Sequence, residues 1–457
     1  MLKRIFISCL VLSFLLGQNV FAQFNAKTLA ALKEQALSED IAYFNAEKIS
    51  TEFGGRMPGS AAAEKTIQWI VSELTQYPQI TIQKQKTRAR NWTNQSASVE
   101  IVSPYSHNLN AVSLAGSIAT PATGVEAEVV KVSSLEHLRG IDAKALAGKI
   151  VYIDRKLSKQ KPLSDYYQAS LLRQQSINLA ARKGALAVIQ RSVSIARSKL
   201  PHTGLIKYQK DIKKIPAAAI STSDADLLDR IINRNQTTRV KLILNNTENK
   251  WLDTSNIIAT LKSPKQTAEN ILLITHIDSW SLGTGALDNA AGVGTMLASM
   301  KHLVQLNKDL ERNIVMVFIG SSRLAPIGIQ DFISANSELI KNTQVATELD
   351  MGAGAVIRMD SRLNENFLSS ADRLHTLLSD LNITRGHNHS IGGSQTHFLI
   401  QQNVPVISWI QQPDEFFKYL HSANDTFDKV ELTDMQQLTA TLSAFLYVSA
   451  ASQMAFK

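Results

Sequence analysis

The feature that most constrains the fold of this chain is an alternation of strand-like and helix-like segments in its second half. The strand-like runs are apolar and short, and they cover residues 257–261, 271–275, 313–320 and 347–350. A segment with helical periodicity, 291–306, lies among them. Strands that alternate with helices usually pair in parallel and are covered by helices on both faces. The sequence therefore predicts an α/β fold built on a mostly parallel sheet.

The first half of the chain has a different pattern. Residues 25–37 and 61–74 have helical periodicity, whereas 80–84 and 97–102 alternate like strands. Between about 112 and 246, short β-rich runs are separated by two helical stretches. The β-rich runs are 127–132, 149–153, 185–189, 217–220 and 240–244, and the helical stretches are 168–183 and 223–232. We therefore expect a β-rich domain, 112–246, inserted into a larger domain formed by 23–111 and 247–457.

The N-terminus has the pattern of a secretory signal peptide. Lys3 and Arg4 precede an apolar run, 5–16, and Val20-Phe21-Ala22 ends in a small residue suited to cleavage. A core helix is the alternative, but the run has neither amphipathic periodicity nor a capping residue. We expect residues 1–22 to be removed and the protein to be exported to a periplasm or outside the cell.

Composition excludes several classes of function. Cys9 is the only cysteine and lies in the expected signal peptide, so the mature chain has neither a disulfide nor a thiol nucleophile. The formal net charge is +9, but the basic residues are scattered, and we expect no nucleic-acid binding. Beyond the signal, no run of about 20 apolar residues exists, so we expect no membrane-spanning helix.

Four residues have the chemistry and placement of metal ligands. His276 ends a predicted strand, Asp288 follows a glycine-rich loop, Asp350 ends another strand, and His421 lies in Tyr419-Leu420-His421-Ser422. Zinc prefers imidazole nitrogen and carboxylate oxygen. Each residue alone is more often a cap or a turn residue, but four in order indicate a metal site at the carboxyl ends of the strands.

These motifs resemble those of the di-zinc aminopeptidase and glutamate carboxypeptidase family, and within it the carboxypeptidase Q branch. The resemblance covers nearly all of the mature chain and includes further motifs at 54–60, 148–151, 191–193, 201–204 and 215–216. It implies a zinc-exopeptidase-like fold and cleavage of short peptides. It also implies a homodimer and a protease-associated-like domain at 112–246, which either shapes substrate access or is a passive stabilising insertion.

The resemblance also implies roles for individual residues. His276, Asp288 and Asp350 would bind one zinc, with Asp288 bridging to a second zinc bound by His421 and a glutamate. Asp278 would orient His276 by accepting its other N–H, as carboxylates near metal-bound histidines often do.

The chain departs from the family pattern where two consecutive glutamates, a general base and a zinc ligand, are expected. Ser322 takes the place of the base and Arg323 that of the ligand, and Gln395 replaces an acidic residue. A serine cannot accept a proton from water near neutral pH, and losing a general base typically costs about 10² to 10⁴ in rate. We expect the guanidinium to exclude the second zinc and to pair with Asp288 instead. Glu348 does not compensate, because active relatives have an acidic residue there too.

Two functions remain open from the sequence. The first is a non-catalytic peptidase homologue that binds short peptides or a protein partner, and the second is an active exopeptidase with one zinc. A different alignment of the Ser321-Ser322-Arg323 loop with the family motif, which would supply a real glutamate, is disfavoured, because no glutamate lies between Glu311 and Glu338. We expect His387, His389 and His397 to lie in loops and pocket walls, with direct metal binding as the less favoured alternative.

Overall fold

The computed structural model describes residues 24–234 and 237–457. The predicted signal peptide lies outside the described residues. Within them, one mixed sheet contains 14 strands. The strands are β1 (Ile80–Ser103), β2 (His107–Leu109), β3 (Ala111–Ser113), β4 (Val125–Val132), β5 (Ile150–Ile153), β6 (Ala187–Arg191), β7 (Ala217–Ile220), β8 (Arg239–Leu261), β9 (Asn270–His276), β10 (Asn313–Ile319), β11 (Thr343–Leu349), β12 (Val356–Arg362), β13 (Thr384–Arg385) and β14 (Val406–Gln411). The helices are α1 (Ala26–Ser38), α2 (Ile41–Lys48), α3 (Ala61–Thr75), α4 (Leu135–Gly140), α5 (Ala143–Leu146), α6 (Pro162–Arg182), α7 (Thr222–Ile232), α8 (Ala291–Val304), α9 (Ile327–Ala335), α10 (Ser337–Lys341), α11 (Leu368–Leu378), α12 (Thr396–Ile400), α13 (Asp414–Tyr419) and α14 (Leu432–Ala451).

The centre of the sheet is parallel. Strand β9 pairs in parallel with β10 on one side and with β11 on the other, and β11 pairs in parallel with β14. Antiparallel neighbours flank this group, since β8 pairs with β10 and β12 with β14. The predicted α/β class with a mostly parallel sheet is confirmed.

Helices cover both faces of the central sheet. Successive side chains of a strand point to opposite faces, and in β9 Ile271 and Leu273 enter one core cluster whereas Leu272 and Ile274 enter another. The first cluster is closed by α1, α2, α8 and α14, and the second by α9, α10 and α12. Burial on both faces explains why these strands are almost continuously apolar.

The two longest strands were predicted only at their ends. Strand β1 joins the predicted segments 80–84 and 97–102, and β8 joins 240–244 and 257–261. The two strands pair along nearly their whole length as an antiparallel ribbon. In the middle of β1, Arg88 and Arg90 are exposed whereas Thr87 and Ala89 are buried, so the strand alternates in burial there although few of its residues are apolar.

The segment of the chain between β1 and β8 contributes strands of its own. Strands β4, β5, β6 and β7 pair in parallel, β3 closes the far edge, and β4 pairs with β8. The inserted strands therefore continue the main sheet. Helix α6 begins at Pro162, six residues before the predicted helix, because proline is suited to the first helical turn. In the described part of the chain, no helix is long and apolar enough to cross a membrane.

Candidate active site

The candidate site lies where the central parallel strands end. His276 is the last residue of β9, Asp350 follows β11, and the Ser321-Ser322-Arg323 loop follows β10. Since β10, β9 and β11 are neighbours in that order, their carboxyl ends bring these residues together. This is the edge at which open α/β sheets bind ligands, and it is where the sequence placed them.

Four predicted ligands meet at this edge. One donor atom from each of His276, Asp288 and Asp350 lies within 4.8 Å of the others. The His276 Nε2 atom is 2.8 Å from Asp350 Oδ1 and 3.3 Å from Asp288 Oδ1. On the other side of Asp288, Oδ2 is 3.2 Å from His421 Nε2. Asp288 therefore lies between His421 on one side and His276 with Asp350 on the other.

The guanidinium of Arg323 lies inside this cluster. Its Nη2 atom forms an ion pair with Asp288 Oδ1, is 2.6 Å from His276 Nε2 and lies 3.8 Å from Asp350 Oδ1. The expected pairing of Arg323 with Asp288 is therefore present. One guanidinium nitrogen contacts donor atoms of all three residues that could share a metal ion.

Opposing effects set the charges of the cluster. Burial and the nearby Arg323 disfavour the cationic form of His276, but Asp350 and Asp278 outweigh them and its pKa is raised. Burial alone would raise the pKa of Asp350. The charges of His276 and Arg323 lower it by a larger amount, so the pKa of Asp350 is lowered overall. Burial and Arg323 lower the pKa of His421 well below its ordinary value. The cluster thus joins ionised carboxylates to a guanidinium.

Comparison with known proteins identifies the family. The family model described as peptidase family M28 matches residues 256–446. The crystal structure of a peptidase M28 precursor from Shewanella amazonensis SB2B is 30% identical in sequence, with a TM-score of 0.91, and the match covers 94% of this chain and 98% of that one. This chain belongs to peptidase family M28.

Other similar proteins are more distant in sequence. Human carboxypeptidase Q is 26% identical over 93% of this chain and 88% of its own length. A zinc aminopeptidase from Bacillus subtilis shares the fold, with a TM-score of 0.64 at 20% identity, over 94% of this chain and 96% of that one.

Asp278 has a different contact from the one expected. The acceptor nearest to His276 Nδ1 is the backbone carbonyl of Asp278, at 2.8 Å, while the carboxylate Oδ1 is 3.4 Å away. The other carboxylate oxygen, Oδ2, accepts hydrogen bonds from the backbone N–H groups of Ser322 and Arg323, both at 2.8 Å. The Asp278 side chain therefore fixes the loop that places Arg323, in addition to lying beside His276.

Ser322 and Gln395, the two other residues expected to depart from the family pattern, contact each other. Gln395 is fully buried, and its Nε2 donates to Ser322 Oγ at 2.7 Å and to Ser394 Oγ at 2.9 Å. Its Oε1 is buried without a partner in the described part of the chain. The Glu348 carboxylate accepts hydrogen bonds from the backbone N–H groups of Gln395 and Thr396, both at 2.9 Å. It therefore fixes the turn that contains Gln395. Sequence reasoning considered these residues one by one and missed this contact.

Sequence reasoning also missed two buried residues that fix the loop before Asp288. Arg56 donates to the carbonyls of Gly54, Ile277, Thr284 and Gly285, and burial lowers its pKa to about 10. Asp425 accepts the N–H of Leu287 at 2.7 Å, and burial raises its pKa to about 6. Arg56 lies in the 54–60 motif and Asp425 lies four residues after His421, but spacing alone does not reveal that their partners are backbone groups.

The inserted segment touches His421, which has a left-handed backbone conformation with φ of 60°. Thr203 donates its N–H to the carbonyl of His421 at 2.9 Å, and His202 Nδ1 lies 2.7 Å from the carbonyl of Leu420. The hydroxyl of Tyr166 is 3.3 Å from His421 Nδ1. The wall of the site beside His421 is therefore built by residues between 112 and 246.

The second group of histidines does not join this cluster. His387 and His389 are exposed and stack on each other with ring centroids 6.2 Å apart. His397 is exposed and contacts Gln401. His387 and His389 lie in a loop, as predicted, whereas His397 lies in helix α12.

Proposed function

We propose that this protein is an M28 peptidase homologue that binds short peptides in its cleft without hydrolysing them. One observation carries the proposal. The guanidinium of Arg323 contacts His276, Asp288 and Asp350, the residues whose donor atoms would otherwise be free to share a metal ion.

The proposal rests first on the missing general base. Ser322 takes the expected position of the base, and its Oγ accepts a hydrogen bond from Gln395. A hydroxyl in this position cannot take a proton from water at neutral pH. The loss of a positioned base typically lowers a rate by about 10² to 10⁴, so hydrolysis at the family's usual rate is not expected.

Charge also argues against a two-metal centre. M28 relatives such as the Bacillus subtilis aminopeptidase are described as zinc enzymes, but the residues present here do not fit a pair of zinc ions. A guanidinium about 4 Å from a dication would be repelled by roughly 8 kcal/mol at an effective dielectric constant near 20. Arg323 lies where one dication would be, and we infer that it replaces the charge of that ion in pairing with Asp288.

One observation favours a second candidate, an exopeptidase that uses a single zinc. The donor atoms of His276, Asp288 and Asp350 are close enough to share one ion, being within 4.8 Å of one another. Such binding requires the guanidinium of Arg323 to withdraw from all three residues. We therefore rank this candidate second.

Several further features belong to the same proposal. Export by a signal peptide rests on residues 1–22, which lie outside the described residues. A protease-associated-like role for 112–246 is supported by the contacts of Tyr166 and Thr203 with His421. We also propose a homodimer, by resemblance to the family, and a periplasmic or extracellular location. A protein partner in place of a peptide is the alternative ligand.

Peptide binding and hydrolysis can be tested in one experiment. The purified mature chain is titrated calorimetrically with unmodified dipeptides, and the same mixtures, with zinc added, are analysed for free amino acids by mass spectrometry. We expect saturable binding and no free amino acids. Hydrolysis that a chelator abolishes would support the one-zinc exopeptidase, and the absence of both binding and hydrolysis would contradict both candidates. The matched control is the Ser322→Glu, Arg323→Glu double variant, which restores the family's two glutamates.

A further inference from the structure

Four basic residues share one face of the long ribbon formed by β1 and β8. The basic residues of the whole chain are scattered, but every second residue of β1 from position 84 to 90 is basic and exposed, namely Lys84, Lys86, Arg88 and Arg90. Alternate side chains of a strand lie on the same face, about 7 Å apart, so the four span about 20 Å. Charge on an exposed strand also discourages pairing between molecules, but two further features of this face call for a ligand.

The first feature is a half-exposed tryptophan on the same face. Trp251 is opposite Arg90 in the register of β1 and β8 and is 49% exposed. The guanidinium carbons of Arg88 and Arg90 lie 5.4 Å and 5.5 Å from the centre of its ring. Asp253 is directly opposite Arg88, but in the part of the chain that the structure describes no ion pair joins the two, since the guanidinium lies over the indole instead. An exposed indole beside two cations offers a stacking surface that solubility alone does not require.

The second feature is an open groove beside these residues, with a volume of about 560 Å³. Its lining combines the cations Lys84, Lys86 and Arg88 with carboxylates and hydroxyls. Two buried polar atoms of the lining, Thr254 Oγ1 and Glu64 Oε1, have no hydrogen-bond partner among the described residues. Thr254 is only 4% exposed. Because a buried polar atom without a partner costs free energy, a ligand with hydroxyl groups would stabilise this groove.

The charges of the groove favour an anion of low charge density. Lys84 lies 3.9 Å from Glu64, whereas Lys86 and Arg88 form no ion pair within the described part of the chain. These two cations are complementary to an anionic ligand. The three carboxylates of the groove would repel the closely spaced phosphates of a nucleic acid, but they can accept hydrogen bonds from hydroxyl groups. An acidic sugar chain, which has one negative group among several hydroxyls, meets both conditions.

We propose that this face of the β1–β8 ribbon binds an acidic oligosaccharide. Lys86 and Arg88 bind its carboxylate or sulfate groups, and the exposed part of the Trp251 indole stacks against a sugar ring. The hydroxyls and carboxylates of the groove bind the sugar hydroxyls. This inference goes beyond the proposed peptide binding, because it uses residues other than those of the candidate active site.

The test compares sugar chains that differ in charge. Binding of trigalacturonate and of its methyl ester to the full mature chain is measured by titration calorimetry. We expect the acid to bind about three to thirty times more tightly than the ester, the combined effect of two exposed ion pairs. Salt at about 0.5 M should remove most of this difference. A heparin-derived oligosaccharide is the sulfated probe, and tighter binding of it than of trigalacturonate would assign sulfate as the anionic group.

Variants separate the two parts of the site. The Lys86→Gln, Arg88→Gln double variant should lose the preference for acid over ester. Trp251→Ala should weaken binding of both the acid and the ester, because stacking does not require a charge on the ligand. Arg239→Gln is the matched control, because Arg239 is an exposed arginine of β8 that pairs with Glu126 outside the groove, and it should keep the full preference. All these side chains are at least half exposed or lie on the surface, so melting temperatures should change little.

Three outcomes would overturn the inference. The first is equal binding of acid and ester by the wild type, or an unchanged preference in the double variant. The second is binding of a short oligothymidylate but of neither sugar, which would indicate a nucleic-acid site. The third is a change from dimer to monomer in the double variant on sedimentation, which would mean that a second copy of the chain covers this face. Dipeptide binding by the double variant should match that of the wild type, so failure of this inference is distinguishable from failure of the proposed function.

Discussion

Replacing Arg323 with alanine should destabilise the protein and make it sensitive to zinc. Arg323 and Asp288 are both largely buried, with side chains 11% and 2% exposed. Removing one partner of a buried pair typically costs about 3 to 5 kcal/mol. Unfolding entropy of about 2.1 cal/mol/K per residue, over a chain of 457 residues, converts 1 kcal/mol into about 1 °C. The melting temperature of Arg323→Ala should therefore fall by about 3 to 5 °C.

Zinc should reverse much of this loss in the variant and should stabilise the wild type less. Without the guanidinium, His276, Asp288 and Asp350 are free to bind an ion, and zinc at about 100 times its Kd would add about 2.7 kcal/mol. The assay is differential scanning calorimetry with a chelator and with excess zinc. Arg312→Ala is the control, because Arg312 is buried and pairs with Glu269 outside the site, so it should destabilise without zinc rescue. An unchanged melting temperature in Arg323→Ala, or equal stabilisation of the wild type by zinc, would refute this reasoning.

Two further predictions concern residues that support the site. Arg56→Met should lower the melting temperature by several degrees and weaken peptide binding, because four backbone carbonyls lose their donor, at about 1 to 3 kcal/mol for each of the two that are fully buried. Full stability measured by calorimetry would contradict this prediction. Burial lowers the pKa of His202 to about 4 from an ordinary 6.5, so the unfolded state takes up the proton first as the pH falls. Stability should decline by about 3 kcal/mol between roughly pH 6.5 and pH 4. His202→Gln should lack this part of the decline when melting temperatures are compared at pH 7 and pH 4.5, and equal declines would refute the assignment.

The fold was predictable where buried strands and helices have a regular pattern of apolar residues. Strand β7 has the predicted bounds, 217–220, and β9, β10 and helix α8 lie within two residues of theirs, because strands and helices buried in the sheet core are apolar in a regular pattern. The middle of β1 around Arg88 was not predicted, since its residues are mostly polar even though Thr87 and Ala89 are buried there. Burial of small or polar side chains leaves no apolar alternation in the sequence.

The candidate site was predictable in its residues but not in its contacts. His276, Asp288, Asp350 and His421 were recognised by type and order, and the pairing of Arg323 with Asp288 followed from charge. The contact between Gln395 and Ser322 was not predicted, because the two residues are far apart in the chain and neither is charged. The role of Asp278 in fixing the loop was missed for a similar reason, since its partners are backbone N–H groups that look alike in any sequence.

The central claim is that Arg323 takes the place of a metal ion. It is tested most directly by counting zinc ions per chain by plasma mass spectrometry after zinc loading, alongside a dipeptide hydrolysis assay. The account predicts at most one zinc and no turnover for the wild type, and a rise towards two for the Ser322→Glu, Arg323→Glu variant. Two zinc ions per wild-type chain together with turnover would contradict it.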